Sequence, residues 1–84
     1  MSNNLVSHID LLHTTKLGEE RIIKNLGITG EVINYLKKKI LDNKANIYKR
    51  GKNYYCEIDN IIITINSHNY CVITAHKTNS GVMV

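Results

Sequence analysis

Apolar positions change their period once along this chain, near Lys44, from helical to alternating. Leu5, Ile9 and Leu12 recur at i, i+4 and i+7 behind Asn3 or Asn4, a helix with one apolar stripe and an amide to cap it. Thr15 is placed to cap a second helix through LGEERIIKNL, with Leu17, Ile22 and Leu26 on its stripe. Gly27 ends it, because glycine tolerates the positive φ of a helix terminus. Thr29 then caps a third helix, roughly Gly30 to Asp42, carrying Ile33, Leu36 and Ile40, with Lys37, Lys38 and Lys39 mostly off that stripe.

After Ala45 the pattern alternates, and the turn residues restrict the register of four strands. RGKN places Gly51 first of two central residues, which pairs Arg50 with Asn53, Ile47 with Cys56 and Tyr48 with Tyr55. IDNI is a two-residue Asp-Asn turn that pairs Ile58 with Ile61, Cys56 with Ile63 and Tyr54 with Ile65. For the last hairpin, a three-residue loop Ser67-His68-Asn69 sets Ile65 opposite Cys71, Ile63 opposite Ile73 and Ile61 opposite Ala75. A two-residue loop would misplace isoleucines worth ~1.5–3 kcal/mol each in burial, so the longer loop is expected.

This register predicts two faces. Ile47, Tyr54, Cys56, Ile58, Ile61, Ile63, Ile65, Cys71, Ile73 and Ala75 form the core side. Tyr48, Arg50, Tyr55, Glu57, Ile62, Thr64, Asn66, Tyr70, Val72, Thr74 and His76 form the open side. The predicted fold is α+β: three N-terminal helices packed on one face of a four-stranded antiparallel meander, two layers around one core. With 84 residues the chain is expected to be a single domain, helices over about 4–43, sheet over about 45–77 and a loose tail at 78–84.

Composition narrows the chemistry. Eleven Lys and Arg against seven Asp and Glu leave +4 at pH 7, which suits an anionic partner. Cys56 and Cys71 lack metal-ligand spacing and fall two strands apart, about 9–10 Å, too far for a disulfide. No metal and no cofactor is expected. The most apolar run, IIITINSHNYCVITAHK, is broken by Asn66 to Asn69 short of the ~20 residues of a membrane span. The start MSNNLVSHID lacks a signal-peptide pattern, so a cytoplasmic location away from membranes is expected.

LLHTTKLGEERIIKNLGI followed by YYCEIDNIIITINSHNYCVITAHK resembles, over nearly the whole chain, a family of small bacterial proteins catalogued as domain of unknown function 3781. That resemblance implies no activity. The order of helices and meander, with a last strand reading ITAHK, also looks like the metal-independent ribonuclease toxins of the barnase, colicin-E5 and RelE-like grouping. Such a likeness implies an endoribonuclease that needs a base for the 2′-OH, an acid for the leaving oxygen and cations for the phosphate.

The residues available for that chemistry are His76 as base or acid, Arg50 and Lys77 on phosphate, Glu57 as a second base, and Thr74 and Thr64 as hydrogen-bond donors. Tyr48, Tyr55 and Tyr70 are candidates to stack on bases. His13 and Arg21 have two readings: part of an N-cap junction around Thr15, or partners of His76 over the open end of the sheet. Set against the enzyme is a non-catalytic module whose Tyr-rich, basic face docks RNA, another nucleic acid or a protein partner of the antitoxin kind. The same tyrosines and threonines are also what a half-solvated sheet recruits as β-formers.

Overall fold

A computed structural model describes residues 4–78. The chain begins with one turn of helix, α1 (Asn4–Ser7), and a 3-10 turn at Ile9–Leu11. Helices α2 (Lys16–Leu26) and α3 (Val32–Leu41) follow, then strands β1 (Asn46–Arg50), β2 (Asn53–Ile58), β3 (Ile61–Asn66) and β4 (Val72–Lys77). The strands form an antiparallel sheet in the order β1-β2-β3-β4. Helices and sheet share one buried cluster that joins Leu5, Leu12, Ile22, Leu26, Leu36 and Ile40 to Cys56, Ile63, Ile65, Val72 and Ala75.

The helices differ from the expected stripes in informative ways. One continuous first helix does not form, although Leu5 and Leu12 are buried as its stripe requires. The chain turns extended at Leu12, where His13 pairs with Cys71 just before β4. The expected cap Asn3 lies outside the described residues.

In α2 the Thr15 side chain accepts from the Gly18 N–H at 3.0 Å and Gly27 closes the helix at φ 67, both as expected. Its buried positions are Gly18, Ile22 and Leu26, whereas Leu17 is 58% exposed. Gly18 sits where a Cβ would come within 2.4 Å of the Thr14 hydroxyl, which itself donates to the Val72 carbonyl at 2.9 Å. The Thr14 side chain, tied to the sheet edge by that bond, occupies the space a Cβ at Gly18 would need.

Helix α3 starts at Val32 rather than Gly30, because Gly30 adopts φ 87 and cannot be helical. Glu31, not Thr29, is the N-cap, and it makes no side-chain capping bond. The start shifts the buried set to Val32, Leu36 and Ile40, with Ile33 only half-buried.

In the sheet the first two hairpins take the expected registers, Tyr48 opposite Tyr55 and Cys56 opposite Ile63 among them. Gly51 adopts φ 62, and Asp59 and Asn60 adopt φ 51 and 65, the double positive-φ pattern that matches strand twist. The last hairpin departs from expectation twice. Its loop has four residues, Ser67 to Tyr70, closed by the Asn66 N–H donating to the Cys71 carbonyl and the Tyr70 N–H to the Asn66 carbonyl. Asn66 Oδ1 accepts from the N–H groups of His68 and Asn69, and Asn69 Oδ1 from that of Cys71, so side chains satisfy the turn.

The second departure is a β-bulge. Ile65 lies opposite Val72 and Thr64 opposite Thr74, which leaves Ile73 as the extra residue. Each change slips the pairing by one, and together they restore parity: Ala75 is buried, but opposite Ile63 rather than Ile61. Between loop and bulge the faces are exchanged. Val72, expected on the open side, is 2% exposed, and Ile73, expected in the core, is 45% exposed. Cys71 is half-buried and Tyr70 packs against the core, reversing their expected roles as core and open-face residues.

The cause is the N-terminal segment. Val72 N–H donates outward to the His13 carbonyl at 2.7 Å, and the Val72 carbonyl accepts from Thr14. Asn25 on α2 donates to the Ala75 carbonyl further along the same edge. These bonds cover the outer side of β4 and blunt an otherwise exposed edge.

Candidate nucleic-acid interface

The open face is organised in rows running across the sheet. Tyr48, Tyr55, Thr64 and Thr74 form one, and Asn46, Glu57, Ile62 and His76 the next toward the β2–β3 turn. Arg50, Asn53 and Asn66 form the row on the other side. Cross-strand neighbours at such positions are in contact range, which is why two tyrosines placed opposite each other meet.

The Tyr48 and Tyr55 rings stack with centroids 5.5 Å apart at an interplanar angle of 23°. The Arg50 guanidinium carbon lies 5.9 Å from the centroid of the Tyr48 ring, within cation–π range. Tyr48 also donates its hydroxyl to Glu57 Oε2 at 2.6 Å, and that acceptor holds the phenol pKa above its usual range. Both rings are half-buried, and Thr64 beside them is almost closed off at 9% exposure. Lys52 is exposed in the β1–β2 turn next to Arg50, so cations lie at that end of the stacked pair, whereas Lys49 pairs with the buried Tyr54 and belongs to the opposite side of the sheet.

The proposed catalytic residues are spread over this face. Glu57 and His76 share a row but stand two strands apart with Ile62 between them, a backbone separation of about 10 Å. Arg50 and His76 occupy opposite corners, three strands and four residues apart, about 20 Å. His76 is exposed, and its ring Nδ1 lies 3.1 Å from the Lys77 carbonyl. Thr74 lies opposite Thr64 in the row of the tyrosines.

Other candidates lie off the face. Tyr70 stacks between His8, at 5.4 Å, and Tyr54, at 6.4 Å, on the helix side. His13 pairs through its backbone with Cys71, while its Nδ1 lies 2.9 Å from the Leu11 carbonyl. It is five residues of strand, about 16 Å, from His76 along β4. Arg21 is exposed on α2. The junction thus follows its capping reading, with Thr14 and Thr15 both bonded to backbone. Lys77, opposite Ile61, lines a separate cleft on the helix side. Of the lysine run on α3, Lys39 is ion-paired to Asp59 and Lys38 is exposed.

What the sequence reading missed is that cleft, since its lining comes from α2, α3, the β2–β3 turn and the end of β4. Only the Asp-Asn turn beside Ile61 hinted at it. Cys56 and Cys71 are both free. Among the described residues no group of three or more His, Cys, Asp or Glu is placed to hold a metal ion. Among the same residues no helix is long and apolar enough to cross a membrane.

No curated protein and no solved structure matches the chain significantly, so the likeness to metal-independent ribonucleases gains no support from a structural relative. A family model described as Protein of unknown function (DUF3781) matches residues 6–76. The match covers most of both the helical and the sheet segments, and the chain therefore belongs to the DUF3781 family.

Proposed function

We propose that the open face of the sheet docks single-stranded nucleic acid without cutting it. The observation that carries this reading is the stacked Tyr48–Tyr55 pair with Arg50 over one ring and Glu57 holding the Tyr48 hydroxyl. An aromatic pair held by a hydrogen bond loses little freedom when a base stacks on it, and stacking tolerates any base because every base has a π-face. Arg50 and the turn residue Lys52 supply phosphate contacts beside the rings, in keeping with the +4 balance of the chain. Thr74 continues the row with a short, partly exposed hydrogen-bonding side chain, while Thr64 opposite it is nearly closed off. Against a cutting role stands the separation of about 20 Å between Arg50 and His76, which keeps that cation away from a phosphate within reach of His76.

Fluorescence anisotropy with labelled single-stranded RNA and DNA, in EDTA and at low and moderate salt, tests the reading. Binding should weaken steeply with salt. Replacing Tyr48 and Tyr55 by Ala should remove ~1–3 kcal/mol per stacked base, while His76→Ala binds like the parent. Binding to duplex alone, or a Tyr48→Ala/Tyr55→Ala variant that binds unchanged, would sink it. Cleavage of total RNA in EDTA that disappears on His76→Ala would restore the enzyme reading.

A further inference from the structure

A cleft of about 390 Å³ opens on the helix side of the sheet, where the β2–β3 turn meets the end of β4. Leu26, Ile61 and the Tyr35 ring give it an apolar lining, and Lys39, Asp59, Asn60, Lys77 and Thr78 provide its polar groups. Its walls are held by rigid elements. Asp59 and Asn60 occupy a tight turn with both φ angles positive, and the Thr78 N–H donates to the Asn60 carbonyl at 2.8 Å, clipping the end of β4 to that turn.

Charge within the cleft is uneven. Lys39 Nζ is paired with Asp59 Oδ2 at 2.6 Å and lies 5.4 Å from the Tyr35 ring centroid, so its charge is already committed. Lys77 is exposed and has no carboxylate partner among the described residues. Two lysines against one aspartate leave one net positive charge over an apolar floor.

We propose that this cleft binds a small organic monoanion with an apolar or aromatic body, its carboxylate on Lys77 and its body against Tyr35, Leu26 and Ile61. The shape follows the usual plan of a small-molecule site: a largely apolar, pre-formed concavity with a few polar groups that set orientation. A carboxylate matches one net positive charge, whereas a phosphate monoester brings about −1.5 to −2 at neutral pH and leaves charge uncompensated. This site lies on the opposite side of the sheet from Tyr48 and Tyr55, and its ligand is independent of nucleic-acid docking.

The test is an NMR titration of the full ¹⁵N-labelled chain with 2-naphthoate, 2-naphthyl phosphate and the neutral 2-naphthalenemethanol. Naphthoate should saturate with a Kd of about 1 mM or below and move the amides of Lys39, Asp59, Asn60, Ile61, Lys77 and Thr78. The neutral alcohol and the phosphate should bind more weakly. Lys77→Gln should lose about tenfold in naphthoate affinity, the worth of one charge-assisted hydrogen bond. Tyr48→Ala/Tyr55→Ala should bind naphthoate like the parent, which separates this site from the sheet face. Shifts confined to the Tyr48–Tyr55 face, equal binding of the alcohol, an unaffected Lys77→Gln variant, or no saturation by naphthoate would each overturn the proposal.

Discussion

The β2–β3 and β3–β4 hairpins share a strand and nearly the same apolar content, yet they obey different rules. In the first, two turn residues at positive φ, Asp59 and Asn60, determine every pair from Ile58·Ile61 to Asn53·Asn66. In the second, the loop lengthens to four residues and a bulge releases Ile73. The difference lies outside the hairpins. Strand β2 is flanked on both sides by local partners, whereas β4 has its outer edge bonded to His13, Thr14 and Asn25, each 50 or more residues away in the chain. Turn chemistry governs register where pairing is local, and yields where a distant segment claims the same backbone groups.

Ile63 belongs to both hairpins, fully buried between Cys56 and Ala75. Ile63→Ala should therefore cost the most, ~2–5 kcal/mol in chemical denaturation, a large part of the stability of so small a domain. A loss below 1 kcal/mol would mean that the two hairpins do not share one core.

A smaller effect separates the two registers directly. Val72→Ala should cost ~2–3 kcal/mol, because its side chain is buried opposite Ile65, while Ile73→Ala stays within about 0.5 kcal/mol. The reverse order of effects would place Ile73 in the core and dissolve the bulge.

The weakest effect contrasts the two cysteines. Burial pushes the Cys56 thiol up from its ordinary 9.0 to about 11, whereas Cys71 beside the last loop is half-buried. Thiol labelling under native conditions should modify Cys71 first and Cys56 only with unfolding. The sign of the linked stability follows from proton counting. Above about pH 9 the unfolded chain releases the Cys56 proton while the folded chain keeps it, so this contribution, present below pH 9, is lost as pH rises through 11. Equal labelling rates for both thiols would show that the central hairpin opens as readily as the last.

Much of the face chemistry was legible for the same reason that the first two hairpins were. Tyr48, Arg50, Tyr55, Glu57 and Thr64 fall on one side through period-two alternation and two short turns, information carried by adjacent residues. Thr74 and His76 also reached the expected side, but only because loop and bulge shifted the pairing twice. Tyr70 did not: as the last residue of the lengthened loop, at φ 60 and before the compensating bulge at Ile73, it turned to the helix side and into the stack with His8 and Tyr54. The distances that separate Arg50 from His76 were likewise implicit in the strand order, since opposite corners of a four-stranded sheet cannot meet.

What the amino-acid sequence determined by itself is local: the Thr15 cap and Gly27 stop of α2, the tight turns at Gly51 and at Asp59-Asn60, and the alternation that follows from them. Each depends on a few neighbouring residues whose φ preferences and hydrogen bonds leave one good arrangement. Tertiary structure alone decided where α3 begins its buried stripe, why Gly18 replaces a side chain under Thr14, which way Val72 and Ile73 point, and that Lys77 meets Lys39 across a cleft. Those outcomes come from distant segments competing for the same backbone donors and the same volume. A short-range pattern carries no record of that competition, because either side of it can be satisfied until the other segment arrives.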